Sequence, residues 1–150
     1  MIYENDFASF DIIKDNYKSI LKLNIKESCP NREEFDQLIE QMDNIYDAFL
    51  KSNTKFYLLC NLNELGVIPM TYIKEIASFF YSKHECIEKL LICTSVVISS
   101  SSVRTIINGF LYIYTTIKPV KFVKEENESY TFFDSIKFGD TMDINNLKEN

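Results

Sequence analysis

Glycine is scarce in this chain: Gly66, Gly109 and Gly139 are the only three among 150 residues. Neither GxGxxG nor GxxxxGK followed by Ser or Thr can be written with them, which excludes nucleotide binding by those two phosphate-cradling devices. His84 is the single histidine, and the four cysteines (Cys29, Cys60, Cys86, Cys93) form no C-x-x-C pair. No metal site and no redox dithiol is therefore written here, and no cofactor is called for; three of the cysteines lie in or beside apolar runs and read as packing thiols. The sixteen Lys and Arg residues are scattered among twenty-two acids, for a net charge of -6. Without a basic block there is no phosphate footprint, and nucleic acid is not an expected partner. Uninterrupted apolar runs of about eighteen residues are also missing, since residues 103–117 are broken by Arg104 and Asn108, so no membrane span is expected. The first six residues lack the basic and apolar segments of a signal peptide, and cytoplasmic residence is the expectation.

What is present is an ordinary globular composition, 46% hydrophobic and 25% charged. A chain of this length is most simply one domain burying roughly two-thirds of its unfolded surface. The domain is expected over residues 1–139. Residues 140–150, polar apart from Met142, Ile144 and Leu147, read as a flexible C-terminal tail.

Residues 7–14 and 17–25 read as two strands around Asp15-Asn16, residue types that tolerate a tight hairpin turn. Leu21, Leu23 and Ile25 alternate with Lys22 and Asn24, placing one face inward. Pro30 and Asn31 stop this strand, and Asn31 with Glu34 can close a capping box. Phe35, Leu38, Ile39, Met42, Ile45, Tyr46, Phe49 and Leu50 then recur at three- and four-residue steps, the clearest amphipathic helix in the chain. Residues 56–62 are nearly all apolar, as in a central strand covered on both faces. Pro69 opens the next helix, which carries Ile73, Ile76, Ala77 and Phe80 to about Lys83. Residues 86–91 fit a helical extension or a strand entry equally well. Residues 94–98 are β-branched at four of five positions and read as a strand.

Four serines, Ser99 to Ser102, separate that strand from a helix whose buried stripe is Val103, Ile106, Ile107, Phe110, Leu111 and Tyr114. Residues 120–124 form the last strand, and a final helix starts near Asn127, carries Tyr130, Phe133 and Ile136 inward, and stops at Gly139. The order ββαβαβαβα predicts an α/β domain with a mixed sheet, an antiparallel entry hairpin leading into parallel strands.

In open α/β sheets, ligands and modifications gather beyond the carboxyl ends of the strands. Two loops qualify, one after the 56–62 strand and one at the serine run. Together they offer Asn61, Asn63, Thr71, Ser100, Ser101, Ser102 and Arg104 as a polar end. The serine run at a helix N-terminus, with Arg104 as a clamp, is a candidate anion-binding or interaction site. One serine acting as helix cap is the plainer reading.

The pattern resembles the STAS domain family, the sulfate-transporter and anti-sigma-factor-antagonist fold. The resemblance is carried by Phe56-Tyr57-Leu58-Leu59-Cys60-Asn61-Leu62-Asn63, by the helix from Pro69, by Thr94-Ser95-Val96-Val97-Ile98-Ser99-Ser100 with Val103-Arg104, and by Lys118-Pro119-Val120-Lys121-Phe122-Val123 and Glu126-Asn127-Glu128-Ser129-Tyr130. It implies a regulatory or protein-interaction domain, and antagonist-type members are switched by phosphorylation at the start of the helix after the first of these strands. That position falls at Met70 or Thr71, so Thr71 is the candidate phosphoacceptor. The family's Asp-Leu-Ser is here Asn61-Leu62-Asn63, and its usual phosphoacceptor motif is absent.

Three functions follow as expectations. The leading one is a non-enzymatic regulatory or protein-interaction module, because no nucleophile stands beside a base and no acids pair at a defined spacing. Its partner is another protein or a second copy in a symmetric dimer. The alternative is a protein that binds a small ligand, a lipid or an anion; Phe79, Phe80, Tyr81, Phe110, Tyr112 and Tyr114 exceed what one inward stripe requires. The third is an enzyme of unknown class, for which Cys60 or Cys86 with His84 is the one nucleophile-base pairing the composition permits.

Overall fold

The computed structural model describes residues 1–136. The expected stop at Gly139 and the expected tail lie outside the described residues. Strand β1 (Tyr3–Glu4) precedes the hairpin of β2 (Ala8–Asp15) and β3 (Lys18–Ile25). Helix α1 (Arg32–Ser52), β4 (Phe56–Asn61), α2 (Met70–Ser82), α3 (His84–Leu90), β5 (Leu91–Val97), α4 (Ser101–Ile113), β6 (Val120–Val123) and α5 (Glu126–Ser135) follow. The six strands lie in sequence order in one sheet, antiparallel from β1 to β3 and parallel from β3 to β6.

Local chemistry explains the element boundaries. Asn16 takes φ 55 in the hairpin turn, a left-handed conformation that asparagine adopts more readily than most residues. Asn31 and Glu34 close the capping box in both directions, with Asn31 Oδ1 accepting from Glu34 N–H at 2.8 Å and Glu34 Oε1 accepting from Asn31 N–H at 2.9 Å. Pro69 is the N-cap of α2 rather than its first helical residue. The ambiguous 86–91 segment resolves into both readings, because α3 ends at Leu90 and β5 begins at Leu91. The edge strand β1 adds one element to the expected order: Asn5 Oδ1 accepts from the N–H groups of Phe7 and Ala8 at 2.9 Å each, and this turn folds Tyr3 back onto Phe10.

Strand alternation divides the core into two halves. Tyr57 and Leu59 of β4, with Cys93 and Val97 of β5, pack with Phe132, Phe133 and Ile136 at α5. Leu58, Cys60, Thr94 and Val96 point to the other face, which α1, α2, α3 and α4 cover. The central run at β4 is thus covered on both sides, as its unbroken apolar character requires.

Candidate functional site

The loops that leave β4 and β5 meet. Leu62 N–H donates to Val97 O at 2.9 Å, and Ser99 Oγ donates to Asn63 Oδ1 at 3.2 Å. Asn61 Oδ1 accepts from Asn63 N–H at 3.1 Å, so both asparagine side chains hold the loop in shape. Ser100 occupies the N-cap of α4 with extended backbone, and Ser101 is exposed in the first turn. Arg104 does not reach across this end; its guanidinium lies 5.4 Å from the centre of the Phe122 ring on β6. Thr71 is exposed in the first turn of α2. Gly66 ties the same loop to the connection between β3 and α1, its N–H donating to Ser28 O at 2.7 Å.

The cysteine-histidine pairing has no geometric support among the described residues. His84 is exposed on α3, with Nε2 3.3 Å from a Glu88 carboxylate oxygen. Cys86, two residues along the same helix, is buried and donates to Tyr46 O at 3.5 Å; residues two apart on a helix do not face each other. Burial pushes the Cys60 thiol up to about 12 and also raises those of Cys93 and Cys86, the opposite of what a thiolate nucleophile needs. No group of three or more metal-ligating side chains occurs among the described residues.

Beneath the joined loops lies the feature that sequence reading missed. An apolar, partly enclosed cavity of about 190 Å³ lies between part of the helical layer and the sheet. Leu62, Leu65 and Ile68 line it under the loops, Leu58, Cys60, Val96 and Phe122 form its sheet wall, and Phe80, Ile107, Phe110 and Leu111 form its helical wall. The surplus aromatics explain part of this arrangement. Phe80 of α2 lies 5.8 Å from Phe110 and 5.5 Å from Tyr114 between ring centres, and Tyr81 lies 4.9 Å from Tyr114. These rings join α2 to α4, while Tyr112 faces solvent. The expected buried stripe of α4 is incomplete: Val103 and Tyr114 are buried, while Ile106, Ile107, Phe110 and Leu111 are half-buried and line the cavity, Ile107 and Leu111 also packing against the cluster of Val96, Val120 and Phe122. The aromatic surplus was the one signal of this in the sequence.

No protein-family model matches the chain, and no curated protein matches it. Among solved structures it is similar to an uncharacterised protein of the DUF3478 family with a SpoIIAA-like fold from Shewanella loihica PV-4, at a TM-score of 0.62 and 10% sequence identity, over 88% of this chain and 98% of that one. At that identity the likeness shows the fold: the chain has the SpoIIAA-like, anti-sigma-antagonist (STAS) architecture that its sequence resembles. No helix among the described residues is long and apolar enough to cross a membrane.

Proposed function

We propose that this STAS-like domain is a non-enzymatic binding module whose interior cavity holds a small, largely apolar ligand. The cavity carries the reading. Protein interiors are packed as densely as organic crystals, with few voids larger than a water molecule. An engineered cavity of about 150 Å³ stays dry and admits benzene, and this one, at about 190 Å³, is larger. Its lining is almost wholly hydrocarbon, so a largely apolar ligand would displace water from apolar surface and supply the contacts that the walls lack.

The test is titration with the neutral, environment-sensitive dye 1-aminoanthracene, alongside native mass spectrometry of the purified chain. Saturable one-to-one binding that 1-hexanol displaces is expected. A chain that binds no dye, no hexanol and carries no ligand mass would end the reading.

A second reading, contact with a protein partner, is favoured by Val67 and Met70, which are 77% and 53% exposed on either side of Pro69. Such a contact would put Thr71, exposed beside Met70, where an added phosphate changes the charge of the surface. Replacing Val67 and Met70 with Asp should abolish capture of a partner from lysate while leaving dye binding intact; unchanged capture would remove this reading.

A further inference from the structure

Resting on the cavity reading, we propose that the occupant is a small amphiphile with an anionic head, a carboxylate or a phosphate, held at one end of the cavity by Lys118 and Thr116. The cavity wall is almost wholly hydrocarbon, and its amine- and hydroxyl-bearing side chains are Thr94, Tyr114, Thr116 and Lys118. They are not dispersed. Tyr114, Thr116 and Lys118 lie on the single connection between α4 and β6, and Thr94 N–H donates to Pro119 O at 2.9 Å, which brings β5 against the same connection. The polar groups therefore collect at the end where β5 and β6 begin, away from the joined loops.

Two of these groups have unmet chemistry. Thr116 Oγ1 is buried without a hydrogen-bond partner among the described residues, a situation that native proteins rarely leave unexplained. Lys118 is half-buried and makes no ion pair or hydrogen bond among the described residues. Lys18 and Lys83 differ: Lys18 pairs with Asp134 at 2.6 Å, and Lys83 pairs with Asp43 and Asp47. Burial, reinforced by the positive charge of Lys55 and opposed by Glu88, pulls the Lys118 pKa below its ordinary value. An anion arriving at this end would supply the missing counter-charge and an acceptor for the Thr116 hydroxyl. An apolar body attached to that anion would fill the rest of the space.

Competition against 1-aminoanthracene on the whole chain tests this with four probes of equal chain length: hexanoate, hexyl phosphate, 1-hexanol and hexylammonium. At least one anion should bind about tenfold more tightly than 1-hexanol, as a charge-assisted contact warrants, and hexylammonium most weakly. The tighter anion identifies the head. Lys118→Met, which keeps the apolar stem, should bring the anions down to the affinity that 1-hexanol has for the same variant. Equal affinities for all four probes in the unmodified chain would overturn the head assignment while the cavity reading stands. Dye displacement by none of them would remove both, and the unmodified chain alone distinguishes these cases if the variant does not fold.

Discussion

The hydroxyl oxygens of Ser95 and Ser129 lie 2.7 Å apart with both residues fully buried, joining β5 to α5 on the face opposite the cavity. Each is the other's partner in an apolar layer of Cys93, Val97, Phe132 and Phe133. Ser95→Ala should cost about 1–3 kcal/mol because it orphans the Ser129 hydroxyl. Adding Ser129→Ala should recover part of that loss, since no buried polar group then lacks a partner. Urea denaturation of both single variants and the double variant measures the coupling, and strictly additive losses would contradict it.

Filling the void should raise stability and lower binding together. Ile106 is half-buried on the helical wall, so Ile106→Phe directs added ring atoms toward the cavity. Cavity-filling changes typically contribute about 0.5–2 kcal/mol. The expected result is a thermal midpoint several degrees higher with 1-aminoanthracene binding lost. A lower midpoint with binding retained would show that the space is not where the structure places it.

Alkaline pH should unfold the domain through Tyr57, among other groups. Its ring is buried, its hydroxyl donates to Ile136 O at 3.3 Å, and burial pushes its pKa up to about 12 from an ordinary 10.0. The folded form thus holds the phenolic proton more tightly than the unfolded form. That contribution is complete below pH 10 and lost as pH rises to about 12, a decline of at most 2–3 kcal/mol. Urea midpoints measured from pH 8 to 12 should fall in this window, and Tyr57→Phe should flatten the fall.

The loop over the cavity depends on Gly66. A β-carbon there would sit 3.0 Å from Ser28 Cβ and 3.3 Å from Ser28 O, closer than ordinary packing. Gly66→Ala should therefore destabilise by about 1–2 kcal/mol through overpacking. Combining it with Ser28→Gly removes the nearest obstructing atom, so denaturation should show partial recovery. A double variant less stable than the sum of the two single changes would argue against the steric cause.

Legibility followed the range of the interactions. The α1 start could be read because Asn31 and Glu34 are three residues apart and satisfy each other's backbone. The hairpin could be read from Asn16, and the two-sided burial of β4 from its unbroken apolar run. Strand β1 could not: Tyr3–Glu4 is only two residues long and exists through the Asn5 turn and pairing with β2. Of the polar end, the sequence supplied the residues, while only the fold showed that Asn63 and Ser99 bond to each other and that Arg104 turns to Phe122.

Sequence alone determined the alternation of strands and helices after the entry hairpin, the mixed sheet and the STAS-like architecture, because periodicity, caps and turn residues act within a few positions of the chain. Tertiary structure alone decided how the apolar stripe of α4 is divided between the sheet, where Ile107 and Leu111 pack against the cluster of Val96, Val120 and Phe122, and the cavity. The pattern of Ile106, Ile107, Phe110 and Leu111 specifies which side of the helix avoids water. Which part of that side meets the sheet and which meets the cavity depends on how the fold sets α4 against β5, β6 and α2, the last through the Phe80–Phe110 and Phe80–Tyr114 contacts, a relation between elements that no local pattern encodes.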